Sequence, residues 1–300
     1  SSARDSASLM EIAEVPAVEL GAISIREALS RAELVGSDVE EVVMGNVVSA
    51  GQGQNPARQA AIRAGLPQGV GAFTINKVCG SGLKSVMLAV QSVRLGDAQV
   101  VVAGGMESMS RAPYLLPQAR QGYRLGNGEL VDSVVYDGLW DVYGNKHMGT
   151  YGDQCAEKCG LTRQDQDDFA VRSYLRAQAA QKSGAFDDEL TPVAFTVRRK
   201  ETTVSEDEGP AKFNEEKLRQ LKPAFGAEGT VTAGNASSIN DGGAAVVVAS
   251  ESACRSKGLS PLARVVGMST FSREPEWFTL APIGALQKLL AQTGWTVDAT

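Results

Sequence analysis

Ten residues, Ile75 to Lys84 (I-N-K-V-C-G-S-G-L-K), constrain this chain more than any others. A short apolar run, Val70 to Val78, reads as a buried strand. It stops at Cys79, and Gly80, Ser81 and Gly82 follow. From Leu83 to Leu95 the apolar residues Leu83, Val86, Met87, Val90 and Val93 fall at helical spacing. A cysteine is therefore set at a strand-to-helix elbow whose glycines let the backbone turn tightly. The first turn of a helix offers unpaired N–H groups and the positive end of the helix dipole. Both favour a thiolate, the nucleophilic form of cysteine. A free cysteine is more often a small buried hydrophobe, but core packing gives no reason for a Gly-Ser-Gly tail. Cys79 therefore reads as a catalytic nucleophile.

Around the elbow, helices and strands alternate. Pro16 to Ala32 reads as a helix with Leu20, Ile23, Ile25, Ala28 and Leu29 on one side. Val39 to Val48 reads as a strand running into a loop. Asn55 to Ala64 reads as a helix capped by Asn55, with Pro56 at its first position. Ala98 to Ala103 is a continuous apolar strand of the kind buried on both faces, and it ends in G-G-M-E-S-M-S. Strand, helix, strand in this order makes a parallel unit, so the expected fold class is α/β.

Composition changes after Arg111. Ala112 to Glu228 reads as a loop-rich insertion with one clear helix, opened at Thr162 by the capping-box start T-R-Q-D and running to Lys182. Ser205 to Glu216 reads as an acidic loop. Order returns with a strand at Ala245 to Ala249 and a helix at Ser250 to Lys257. A strand at Pro261 to Met268 and a helix at Ala285 to Thr293 follow.

Three hundred residues are enough for about two domains. The net charge is −6 and the pI about 5.1, which with no basic stripe argues against nucleic acid as a partner. Four scattered cysteines with no C-x-x-C pair fit a reducing compartment. No stretch is long and apolar enough for a membrane span, and Ser1 to Met10 lacks the apolar core of a signal peptide. Cytoplasm is the expected location. Cys155 and Cys159, four residues apart and near His147, offer two soft ligands without a convergent third, so no metal is expected. The chain carries no phosphate-binding loop or dinucleotide fingerprint, and no redox cofactor is implied.

The elbow K-V-C-G-S-G-L-K is followed in order by V-V-A-G-G-M-E-S-M-S, by H-M-G (His147 to Gly149) and by G-T-V-T-A-G-N-A-S-S-I-N-D-G (Gly229 to Gly242). Through nearly its whole length the chain resembles the thiolases. H-M-G and the stretch Gln118 to Val131 are most similar to the short-chain acetyl-CoA C-acetyltransferases, the acetoacetyl-CoA thiolases. The resemblance implies a layered α-β-α-β-α fold of two similar halves with an inserted loop domain. Here residues 1–111 and 229–259 would be the N-terminal thiolase domain and 112–228 the CoA-binding loop domain. Residues 260–300 would only begin the second half.

The resemblance also implies chemistry. Cys79 would take an acetyl group from acetyl-CoA, release CoA, and serve the making or cleaving of acetoacetyl-CoA. His147 would lie beside the reactive end of pantetheine, and Ser237 would contact the pantetheine arm. Leu218, Phe225 and Ala233 fall where the family's loop domain grips CoA. Met148 and Phe278 would flank the acyl pocket, a bulky Phe278 favouring a short acyl group. Dimers and, in the short-chain branch, tetramers are implied, with Gln118 to Val131 resembling the loop that joins dimers there. On the residues alone, His147 also reads as a hydrogen-bonded loop histidine and Ser237 as a turn cap. Leu218, Phe225, Ala233 and Phe278 also read as ordinary packing.

The stretch begins after the family's first strand and its R-T-P-x-G motif. It holds none of N-E-A-F, G-H-P and C-x-G, which carry the oxyanion asparagine, the activating histidine and a second cysteine. Two other readings therefore stand beside the acetyltransferase: a broader-chain 3-ketoacyl-CoA thiolase, and a non-catalytic acyl-CoA-binding or assembly half.

Overall fold

The structure is a computed structural model and describes residues 12–197 and 199–299. The reading of Ser1 to Met10 lies outside them. In chain order the helices are α1 (Ala17–Arg31), α2 (Pro56–Arg63), α3 (Ser81–Leu95), α4 (Met148–Cys159), α5 (Arg163–Lys182), α6 (Glu208–Ala211), α7 (Glu215–Arg219), α8 (Glu251–Lys257) and α9 (Ala281–Thr293). The strands are β1 (Glu41–Gly45), β2 (Gly71–Ile75), β3 (Val100–Ser108), β4 (Tyr114–Leu115), β5 (Val131–Asp132), β6 (Trp140–Asp141), β7 (Lys146–His147), β8 (Val193–Val197), β9 (Lys200–Val204) and β10 (Asp241–Ala249). Two compact units form. The first comprises Ser1–Gly138, Thr191–Glu206 and Ile239–Ala263; the second comprises Leu139–Leu190, Asp207–Ser238 and Arg264–Thr300.

The first unit is built on a four-stranded sheet of order β10-β3-β1-β2. β1 runs parallel to both β2 and β3, and β10 closes the other edge antiparallel to β3. β1 and β3 are the interior strands, so their side chains are buried on both faces. Val42 and Met44 point to one side, where Ile25, Ala57, Ala60 and Ala253 bring in α1, α2 and α8. Val43 and Val101 point to the other, against Ala89 of α3. Period-two alternation thus sorts one apolar run into two cores, and the unit is an α/β/α sandwich.

Local signals set most helix ends. Asn55 accepts a hydrogen bond from the Arg58 N–H at the start of α2, with Pro56 first in the helix. Thr162 and Asp165 form a reciprocal capping box at α5. Three expectations are corrected. β2 is not a buried strand: it pairs only with β1, and Phe73 is 38% exposed. Ser205 to Glu216 is not simply a loop, because Asp207 and Asn214 cap two short helices, α6 and α7. Pro261 to Met268 forms no strand, since none of the described residues provides it with a ladder partner.

The elbow sits on paired glycines. Gly45 of β1 lies opposite Gly105 of β3, and the first turn of α3 rests on both. A Cβ on Gly45 would lie 2.6 Å from Ser81 Cβ, and one on Gly105 would lie 3.4 Å from Gly82 Cα. Ser85, fully buried, ties α3 to the sheet by donating to Gly104 O at 2.7 Å. Gly45→Ala is expected to destabilise the chain by about 1–3 kcal/mol through overpacking, read as a lowered midpoint in urea unfolding.

Candidate active site

β2 ends at Ile75 and α3 begins at Ser81, and the five residues between turn the chain. Asn76 Oδ1 accepts from the Val78 N–H at 2.8 Å. Ser81 Oγ accepts from the Lys77 N–H at 2.8 Å and donates to Val78 O at 2.6 Å. The Gly80 and Ser81 N–H groups close onto Lys77 O and Val78 O. The turn forces Val78 to φ +47°, a left-handed conformation unfavourable for a β-branched residue. Cys79 follows it, exposed, with a free thiol. Among the described residues the Cys79 N–H takes part in none of these turn bonds.

The same end of the sheet carries a half-buried carboxylate. Glu107 accepts from the Asn46 side-chain amide at 2.7 Å and from the Val47 and Val48 N–H groups at 2.8 and 3.1 Å. Asn46 Nδ2 also donates to Met106 O. Burial pushes the Glu107 carboxyl up against the pull of those two N–H donors. The pair holds the loop after β1 at the carboxyl end of the parallel strands, where α/β folds place their sites. Neither residue stood out in the sequence, although a glutamate closing so apolar a strand was the available signal.

In the second unit, β6 and β7 form a short hairpin that delivers His147 to the start of α4. Asp141 secures it by accepting from the Tyr143 and Gly144 N–H groups and from the Tyr151 hydroxyl at 2.7 Å. That last bond pushes the Tyr151 hydroxyl up to about 12. His147 caps α4: its Nδ1 accepts from the Gly149 N–H at 3.0 Å. Phe225 stacks on the imidazole at a centroid distance of 4.6 Å and an interplanar angle of 23°. Burial lowers the His147 pKa from its ordinary value.

A polar frame holds the segment Gly229 to Ser237. Asp153 Oδ1 accepts from the Thr230 and Val231 N–H groups at 2.7 and 2.9 Å. Asn235 Oδ1 accepts from the Thr232 N–H, and its Nδ2 donates to Asp167 Oδ1 at 2.9 Å. Asp167, 3% exposed, is paired with Arg163 at 2.8 Å. Arg163 in turn donates to Leu221 O at 2.9 Å.

The structure thus brings His147 and Phe225 into contact. Leu218 is buried with Ala170 and Val171, under the turn that carries Ala233: a Cβ on Gly234 would lie 2.8 Å from Leu218 Cγ. Ala233 and Ser237 are exposed on that turn, and Met148 is half-buried at the head of α4. Phe278 is half-buried on a 3-10 turn, Pro275–Leu280, packed against α4. Cys155 and Cys159 lie one turn apart on α4 with free thiols.

The chain as a whole is similar to known proteins. Residues 6–252 match the family model for the thiolase N-terminal domain. The acetyl-CoA acetyltransferase of Cupriavidus necator is 48% identical over 287 residues, covering 95% of this chain and 73% of that protein. Acetyl-CoA acetyltransferase 2 of Arabidopsis thaliana is 50% identical over 289 residues, covering 95% and 72%. The crystal structure of the Acat5 thiolase from Ascaris suum in complex with coenzyme A superimposes with a TM-score of 0.91 at 38% identity, covering 96% and 74%. The chain belongs to the thiolase family.

In this thiolase the residues that shape the site include several the sequence did not single out. Gly149 and Asn235 lie inside quoted motifs. Asp153 and Asp167 lie on helices with no local mark, and meet partners 78 and 68 positions away.

Two outcomes follow for the second unit. Asp167→Ala strands Arg163 and Asn235, and is expected to cost about 3 kcal/mol, with faster amide exchange at Thr232. A histidine with a depressed folded pKa takes its proton first in the unfolded chain. His147 therefore makes the thiolase lose stability as pH falls below about 6.5, and contributes no pH dependence above it. His147→Gln flattens that part of the stability–pH curve.

Proposed function

We propose that this chain is an acetyl-CoA C-acetyltransferase that forms or cleaves acetoacetyl-CoA through an acetyl group held on Cys79. The observation that carries the reading is the exposed Cys79 thiol on a turn that its own backbone strains to maintain. The thiol gives up its proton to solvent, and the sulfur attacks the thioester carbonyl of acetyl-CoA. The carbonyl π pair moves to oxygen, and the Cys79 N–H is placed to donate to that oxyanion. When the intermediate collapses the carbon–sulfur bond to CoA breaks, CoA leaves as the thiolate and takes up a proton, and acetyl-Cys79 remains. Cysteine suits both halves of the exchange, being a strong nucleophile and a good leaving group. A second acetyl-CoA then gives up an α-proton to solvent, its enolate carbon attacks the acetyl carbonyl, and collapse breaks the bond to Cys79 sulfur, which leaves as the thiolate; thiolysis runs the same steps backwards.

The second unit takes the CoA. Ala233 and Ser237 are exposed on a segment whose backbone is fixed by Asp153 and Asn235, which favours binding an extended pantetheine arm without first ordering a loop. Met148, Phe225 and Phe278 supply apolar surface for the acyl end, and Leu218 supports the turn from below. The partners of the chain are CoA, acetyl-CoA and acetoacetyl-CoA. Among the described residues β2 leaves one edge of the sheet unpaired, and a second copy of the chain is the proposed occupant of that edge.

Incubation with acetyl-CoA is expected to add one acetyl group by intact mass, localised to Cys79 by peptide mapping. Cys79→Ala abolishes the adduct and lowers transfer by about a thousandfold or more. Acetylation elsewhere, or none at all, overturns the reading. Phe73→Lys is expected to move the protein to monomer in light scattering, while an unchanged mass rules out the β2 edge.

A further inference from the structure

His147 is held from several directions at once. The Gly149 N–H points at Nδ1 from 3.0 Å. An amide can only donate, so Nδ1 must present its lone pair, and in the neutral ring the proton sits on Nε2. Phe225 covers one face of the ring. The position of Phe225 is fixed in turn: Ala224 N–H donates to Val231 O at 2.9 Å, and Val231 N–H is taken by Asp153.

Gly149 completes the lock. A Cβ there would lie 2.1, 2.3 and 2.4 Å from three Phe225 ring atoms, Cε2, Cζ and Cδ2. No side chain at position 149 is compatible with the stack. Among the described residues Nε2 makes no hydrogen bond. The ring therefore has one polar atom used to fix it and one left to act.

We propose that Gly149 and Phe225 are positioning residues that hold His147 as the Nε2–H tautomer, so that Nε2 donates to an acceptor oxygen on the acyl-pantetheine end of a CoA thioester. This rests on the CoA reading above and goes beyond it by assigning the direction of the hydrogen bond. A general base at Nε2 would need the opposite tautomer, with a proton on Nδ1 facing the Gly149 N–H. The locked ring accepts nothing at Nε2, so it selects a ligand atom with lone pairs, such as the thioester or an amide carbonyl, over an ammonium or a hydroxyl proton.

His147 is the chain's one histidine, so every imidazole signal in a nitrogen-15 spectrum belongs to it. At about pH 8, above the ordinary imidazole range, the wild-type chain is expected to show Nε2 protonated and Nδ1 not. Gly149→Ala and Phe225→Leu are each expected to raise the minor Nδ1–H tautomer about fivefold, the factor one net hydrogen bond controls. Phe225→Leu keeps the test open if the alanine variant does not fold. Saturating acetyl-CoA is expected to move the Nε2–H proton signal downfield. Mixed tautomers in the wild type, or an unchanged ratio in both variants, overturn the lock. An unmoved Nε2–H signal in a chain whose Cys79 becomes acetylated overturns the donor role. A locked ring in a chain that never acetylates Cys79 counts against the acetyltransferase reading and leaves the lock standing.

Discussion

There is no room for a side chain between β1 and the first turn of α3. Gly45 and Gly105 let that turn rest on the sheet backbone, and the remainder of the elbow follows from the contact. With Ser81 pressed against the sheet, the chain leaving β2 has five residues in which to reverse into the helix. Ser81 Oγ and Asn76 Oδ1 take up the turn's N–H groups, and Val78 is driven to positive φ. That conformation costs about 1–3 kcal/mol. Val42, Val43, Met44, Val100, Val101 and Val102 are all essentially buried, each contributing about 1.5–3 kcal/mol. The sheet core outweighs the strain several times over, which is why a β-branched residue can stand there and leave Cys79 facing solvent.

The second unit solves its positioning problem with polar groups. Its apolar cluster around Ala170, Val171 and Leu218 is small. Asp153, Asp167, Asn235 and Arg163 do the work that side-chain packing does in the first unit. Each such bond is worth about 1 kcal/mol net, yet leaving one partner buried and unpaired costs more. The network is therefore weak as a source of stability and strong as a specifier of one loop conformation. That is the property a segment bearing Ala233 and Ser237 needs if it is to meet a flexible ligand.

What the sequence revealed follows the same physical division. Signals that act over a few residues were legible: Asn55 capping α2, Thr162 and Asp165 boxing α5, and Cys79 between a strand and a glycine-rich helix start. Burial on both faces made β3 legible as an interior strand. Whether β2 is interior or edge depends on which strands pair with it, and its apolar run carries no mark of that. Pro261 to Met268 has strand-like composition, but a strand exists only with a partner. Asp153 and Asp167 were silent because each looks like an ordinary helical carboxylate until residues some seventy positions away fold back onto it. His147 was visible as a hydrogen-bonded loop histidine, but its stacking on the flat face of Phe225 was not, because no spacing encodes it.

Cys79 and His147 are fixed by opposite means, and the difference suits the roles proposed for them. A nucleophile must reach a carbonyl carbon and later release it, so its side chain is left free and its main chain is constrained, by Gly45, Ser81 and Val78. A hydrogen-bond donor must point one proton in one direction, so its ring is constrained, by the Gly149 N–H and by Phe225. Removing a Cβ achieves both. At Gly45 the missing atom lets backbone approach backbone, and at Gly149 it lets an aromatic ring approach a helix N-terminus. Glycine in the H-M-G motif therefore has a steric role rather than a conformational one. The motif reads as a single device in which one residue supplies the ring, the next begins the helix, and the third makes way for the residue that holds the ring flat.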